Sequence, residues 1–272
     1  MLNNSRIYLW DQLSTTDFAK LDLTQVIAVL PLGATEQHGP HLPLCVDSAL
    51  IDGVIQHCLP HMHKLESFSD LPVLFLPTQK IGFSPEHQSF AGTLSLKAST
   101  ILALWTDILD SVASTGIHKV LLLNAHGGQS GLLDVVGRDI RQRHKILVYS
   151  ANFYDLPANS STQNLFTEHE KRFGIHAGDL ETSMMMALHA DSIKHDALQN
   201  FESYSEQRAL NFKILGNGKS AKMSWAMQDY NPLGATGNAA NASADKGQLL
   251  VQNFGFQLFQ LLQELHLVKI DF

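Results

Sequence analysis

Val26-Ile27-Ala28-Val29-Leu30 is an unbroken apolar run that leads through Pro31-Leu32-Gly33 into Ala34-Thr35-Glu36-Gln37-His38-Gly39-Pro40-His41. A short run of Val, Ile and Leu without polar alternation reads as a strand buried on both faces, here over residues 25–32. Gly33, Gly39 and Pro40 forbid a continuing helix, so the segment after the strand is extended or turning. Residues two apart in an extended chain point the same way, which lets Glu36 and His38 present a carboxylate and an imidazole to one small volume. Asp47 follows the proline-marked turn His41-Leu42-Pro43 and opens an apolar-periodic segment, where a helix N-terminus would face it back toward the pair. On its own, Glu-x-His reads more readily as a solvated loop pair, with Asp47 a helix cap, than as a metal site, so further ligands decide the matter.

The same kind of strand recurs along the chain. Val73-Leu74-Phe75-Leu76 is a second apolar run stopped by Pro77, Lys119 to Leu123 a third, and Ile146-Leu147-Val148-Tyr149 a fourth. Helical periodicity separates them: residues 47–59, which Pro60 should end, residues 97–114 with Gly116 beyond, and residues 129–143. Strands alternating with helices of moderate length predict an α/β fold, a three-layer α/β/α sandwich with a mostly parallel sheet. Residues 151–175 are largely polar and read as a surface excursion or lid. A helix starting at Gly178 or Asp179 and running to about His189 comes next, and the Asn-, Gly- and Ser-rich segment 200–242 resists assignment. A last amphipathic helix covers roughly Ser243 to Leu265. With no repeat and no clear linker, residues 1–272 read as one domain.

Composition narrows the function classes. The chain of 272 residues carries 19 Lys and Arg against 26 Asp and Glu, a net charge of −7, without a basic run, which disfavours a nucleic-acid partner. Two cysteines, Cys45 and Cys58, are too few for a disulfide framework and lack C-x-x-C spacing, so reduced thiols in a cytoplasmic protein are expected. Met1 to Arg6 shows no secretion signal, and the longest apolar segments are broken by Asp107 and Asp110 well short of a membrane span. The 14 histidines matter because neutral imidazole is the commonest metal ligand.

Ligands of open α/β sheets bind beyond the carboxyl ends of the strands. Glu36/His38 and His126 both follow directly after strands, which puts them on one rim. Gly127-Gly128 strips side chains from the helix start beside His126, leaving backbone N–H groups for an anion or oxyanion; a tight turn would explain the glycines equally. Glu181 falls in the first turn of its helix, where capping is the simpler explanation. His176 lies just outside that helix, within reach of the same rim as an acid or base. His87 sits in the irregular segment Gly82 to Leu94 and is a candidate substrate contact. Met184-Met185-Met186 reads as core packing.

Taken together, Leu32-Gly33-Ala34-Thr35-Glu36-Gln37-His38-Gly39-Pro40-His41-Leu42-Pro43 with Asp47, Phe90-Ala91-Gly92-Thr93, Asn124-Ala125-His126-Gly127-Gly128 and His176-Ala177-Gly178-Asp179-Leu180-Glu181-Thr182-Ser183 resemble the creatininase (creatinine amidohydrolase) family. The resemblance implies a three-layer α/β/α fold and a two-metal amidohydrolase, with Zn²⁺ the first choice of ion and Mn²⁺ or Fe²⁺ the alternatives. It assigns Asp47 as the bridge, Glu36 and His126 to one ion, and His38 and Glu181 to the other. A hydroxide shared between the ions would be the nucleophile, His176 the proton donor to the leaving nitrogen, and Gly127/Gly128 an oxyanion contact. Creatininase proper carries a glutamate where this chain has Gly128, and covers its substrate with tryptophans absent from residues 151–175. The expected substrate is therefore a small molecule with a cyclic or other non-peptide C–N amide bond, creatinine not being the first choice. A formamide deformylase, or a non-catalytic metal-binding module that keeps the fold, are the alternatives. A homo-oligomer, up to a hexamer, is implied by the resemblance alone.

Overall fold

The computed structural model describes residues 8–269; the reading of Met1 to Arg6 lies outside them. Four strands, β1 (Ile27–Leu32), β2 (Val73–Phe75), β3 (Lys119–Asn124) and β4 (Leu147–Asn152), form one sheet in the order β2-β1-β3-β4. Every neighbouring pair is parallel, with Leu32 opposite Asn124 and Asn124 opposite Asn152, so these three strands end level with one another. A parallel sheet needs cover on both faces, and period-2 alternation supplies it. Ala28, Leu30, Leu32, Val120 and Leu122 face one side and pack with Ile101, Trp105 and Leu109 of a helix over Ala98–Ser114 and Leu133, Val136 and Ile140 of another over Ser130–His144. Ile27, Val29, Leu121 and Leu123 face the other side, against helices Val46–Met62, Asp179–Leu188 and Ala244–Leu267. The three-layer α/β/α arrangement is thus present.

Boundaries follow local chemistry. Ser243 caps the last helix, its hydroxyl accepting from the Lys246 N–H, and Gly178 is the N-cap of Asp179–Leu188. Pro60 does not end its helix as expected. The helix runs to Met62, because in the last turn a proline removes one hydrogen bond without blocking the residues that follow it. Residues 200–242 hold a short helix, Tyr204–Asn211, capped by Ser203, and a two-stranded antiparallel ribbon, Asn200–Phe201 with Gly237–Asn238. Cys45 and Cys58 are both free thiols. Among the described residues no helix is long and apolar enough to cross a membrane.

Candidate metal centre

The level ends of β1 and β3 bring two loops together. Gln129 straps them, its side-chain amide donating to the Gly33 carbonyl at 3.2 Å and to Asn124 Oδ1 at 2.9 Å. Asn124 in turn donates to the His126 carbonyl and to Asn152 Oδ1. Beyond this strap Glu36, His38, Asp47 and His126 are buried side by side.

Asp47, in the first turn of Val46–Met62, uses both oxygens: Oδ1 lies 3.4 Å from His38 Nε2 and Oδ2 lies 3.7 Å from His126 Nδ1. On one side of it His126 Nδ1 is 3.2 Å from Glu36 Oε1. On the other, His38 Nε2 is 4.0 Å from Glu181 Oε2. Glu181 therefore faces the rim from the first turn of Asp179–Leu188. Ala177, at φ +55°, makes the left-handed turn into that helix and donates its N–H to Glu181 Oε2 at 2.5 Å.

The rings are oriented by backbone partners on their far sides. His38 Nδ1 donates to the Glu36 carbonyl at 3.0 Å, and His126 Nε2 donates to the Phe83 carbonyl at 3.0 Å, so each ring turns its other nitrogen toward the carboxylates. His176 Nε2 donates to the Gln37 carbonyl at 2.8 Å, and its ring lies between those of His38 and His87, at centroid distances of 4.2 and 4.4 Å. A main-chain bond from the Thr236 N–H to the His176 carbonyl anchors this segment.

His87, a candidate substrate contact, lies on the inner wall of the cavity, buried, with Nε2 3.3 Å from Glu36 Oε1. The Gly39 N–H donates to Gln37 Oε1, which turns the Gln37 amide nitrogen onto His87 Nδ1 at 2.7 Å. His87 Nδ1 is then an acceptor, and its proton sits on Nε2 facing Glu36. Gly127 and Gly128 open a 3₁₀ turn that runs into Ser130–His144, so their N–H groups belong to a first turn without helical acceptors.

Burial and crowding displace the titrations. Burial opposes ionisation of Glu36, yet the imidazoles of His126, His87 and His38 outweigh it and hold this carboxyl below its usual range. Asp47 is raised by burial and by Glu36, and Glu181 is pushed up to about 7, chiefly by burial. Burial would lower His38, but Asp47, Glu181 and Glu36 prevail and raise it to about 9; Glu36 and Asp47 likewise raise His126. His176 is lowered, by burial first and then by His38 and His87.

Among the described residues three groups could hold an ion: Glu36, Asp47 and His126; His38, His176 and Glu181; and Glu36, His87 and His176, their ligand atoms within 4.8 Å of one another in each group. Glu36 Oε1 and Oε2, His38 Nε2, Asp47 Oδ2 and His87 Nε2 are buried without a hydrogen-bond partner. Unpartnered oxygens of Glu36 and Asp47 converging with Nε2 of His38 fit a divalent ion of the zinc or manganese kind.

The cluster floors a cavity of about 470 Å³. Residues 151–175 form one wall, with Tyr154 and Phe166 lining it. Three residues went unread in the sequence. Glu86, beside His87, reaches His126; Glu170 ties down the helix of Glu181; and Trp225 lines the cavity edge-on to His87, with ring centroids 6.1 Å apart. None sits in a periodic segment, and only the neighbouring His87 offered a signal for Glu86.

The creatininase (creatinine amidohydrolase) family model matches residues 11–262. A mycofactocin precursor peptide peptidase of Mycobacterium ulcerans (strain Agy99) is 28% identical over 243 residues, 89% of this chain and 87% of its own length. A creatinine amidohydrolase of Pseudomonas putida is 28% identical over 193 residues, 65% of this chain and 70% of its own. In structure, a solved creatininase superposes with a TM-score of 0.76 at 22% identity, over 97% of this chain and 100% of that one. Creatininases of the same fold include a Zn–Zn form and an Mn form. The family match spans nearly all the residues that build the sheet, the rim and the cavity, and the chain belongs to the creatininase family.

Proposed function

We propose that this creatininase-family hydrolase is a metal-dependent amidohydrolase acting on the C–N amide bond of a small molecule, cyclic or otherwise non-peptide. The observation that carries this reading is the convergence of Glu36, Asp47, His126 and Glu181 on the floor of one cavity with His38 beside Asp47 and Glu181, and among them the Glu36 oxygens, Asp47 Oδ2 and His38 Nε2 are buried without a partner. We assign Asp47 to both ions, with Glu36 and His126 on one and His38 and Glu181 on the other, because its two oxygens face His38 and His126. Zn²⁺ is the first choice, Mn²⁺ and Fe²⁺ the alternatives. Such ions would supply a water of lowered pKa and a Lewis acid for the substrate carbonyl.

The remaining groups do ordinary acid–base and positioning work. Burial, with His38 and His87 nearby, holds His176 below its ordinary range, and its Nε2–H is committed to the Gln37 carbonyl, so its other nitrogen is the one to take a proton and pass it to the leaving nitrogen. The Gly127 and Gly128 N–H groups are suited to receive the carbonyl oxygen as it gains charge. Tyr154, Phe166 and Trp225 wall the cavity.

A second reading follows from the peptidase relative, which matches this chain over 89% of its length. Here the scissile bond belongs to a short peptide whose end enters the cavity. Metal analysis of the purified protein, then turnover of a panel of cyclic amides, formamides and short peptides with Zn²⁺ or Mn²⁺, separates the readings. Cleavage of peptides alone overturns the first. Two bound ions without any turnover leave a metal-binding module, and no bound ion refutes the metal centre altogether.

A further inference from the structure

We propose that Glu86 is a positioning residue of the metal centre, whose carboxylate lies over Gly128 and holds the His126 ring with Nε2 protonated and Nδ1 turned toward Glu36 and Asp47. This rests on the reading of Glu36, Asp47 and His126 as ligands of one ion. Glu86 Oε1 is 3.3 Å from His126 Nε2, on the side of the ring away from the carboxylate cluster. The same nitrogen donates to the Phe83 carbonyl at 3.0 Å and has Ser84 Oγ at 3.3 Å. Three residues of one loop thus surround the back of His126 with acceptors, and only one of them brings a charge.

Two observations separate this from an ordinary buried ion pair. Glu86 is buried, yet its Oε1 has no aligned donor, so in the protein alone this oxygen gives up hydration without full compensation. The group it faces is the imidazole of His126, whose Nδ1 is turned toward Glu36 and Asp47. A carboxylate behind a ligating histidine fixes the tautomer and raises the basicity of the ligating nitrogen. Space is also reserved for it. A Cβ built on Gly128 would collide with Glu86 Oε1 and with the His126 ring, so any side chain at 128 would displace the carboxylate. With no side chain at 128, the volume beside His126 is taken by Glu86 from another loop.

The test is metal titration of the wild type, Glu86→Gln and Glu86→Ala, with thermal melting of each metal-free protein. The expected result is two ions in the wild type. In both variants one of them binds about 10- to 100-fold more weakly and the other keeps its affinity within about threefold. Metal-free melting temperatures should equal or exceed that of the wild type, since neither variant buries a carboxylate there. Wild-type affinity for both ions in both variants overturns the proposal, as does weakened binding matched by a fall in metal-free melting temperature. A wild type that binds no divalent ion overturns the metal centre and this proposal with it, and is recognised without any variant.

Discussion

The main-chain carbonyl of Glu36 accepts the Nδ1–H of His38 at 3.0 Å. Two residues of one extended segment thereby orient each other: the backbone of the first holds Nδ1 of the second, and Nε2 is left facing Asp47 and Glu181. No side chain has to be ordered to achieve this, and β1 holds the segment in place.

Because Asp47 turns one oxygen to each histidine, its loss should disturb both halves of the centre, whereas loss of Glu181 should disturb one. Metal analysis is expected to show two ions in the wild type, at most one weakly held ion in Asp47→Ala, and one retained ion in Glu181→Ala. Turnover in Asp47→Ala should fall by at least about a hundredfold, in line with the rate contribution of activated water. Equal stoichiometry in the two variants would contradict the bridging role.

Glu170 carries a structural prediction. Its Oε1 accepts the Asp179 N–H at 2.8 Å and its Oε2 the Asn238 N–H at 2.9 Å, clasping the first turn of the Glu181 helix to the ribbon strand. Charged acceptors bound to buried backbone donors contribute about 1.5–3 kcal/mol each, and an amide in their place leaves one donor facing an NH₂ group. Glu170→Gln should therefore unfold in denaturant with about 2–3 kcal/mol less stability, while Glu168→Gln, at an exposed site on the same short helix, should leave it unchanged.

The sheet and its covering helices were legible because burial on two faces writes itself as Val29, Leu121 and their neighbours in unbroken runs. Five of the residues gathered at the centre were legible for a related reason: Glu36, His38 and His126 follow strands directly, and Asp47 and Glu181 open helices. Glu86, Glu170 and Trp225 were not, since each reaches the cavity from a segment whose path is set by tertiary packing. Pro60 failed as a helix terminator because a propensity rule for helix interiors was applied to a last turn.

Trp225 should affect binding more than chemistry. It lines the cavity and packs edge-on against His87 and against Tyr230, the latter at 5.1 Å between centroids, but it has no atom in the ligand cluster. Removing an aromatic wall forfeits apolar contact worth on the order of 1–2 kcal/mol. Trp225→Ala is expected to raise KM about tenfold and to change kcat by less than about threefold. A loss confined to kcat would instead place the indole in the chemical step.

His41 gives the fold a pH dependence away from the rim. It is buried, with Nε2 3.0 Å from Thr182 Oγ1 and its ring stacked on Phe201 at 5.2 Å. Burial pulls this imidazole down to about 4 from an ordinary value of 6.5, with the charge on His38 acting in the same direction. The unfolded chain then takes up a proton below about 6.5 that the folded chain refuses until about 4. Stability is therefore fully present above the unfolded value and is lost as pH falls through this window, by an amount on the order of 2 kcal/mol. Urea unfolding at steps from pH 7.5 to 4.5 should show that decline in the wild type and a shallower one in His41→Gln, whose side chain can still bond Thr182 but does not titrate. Parallel slopes in the two proteins would mean that the imidazole is protonated as readily in the fold as in the open chain.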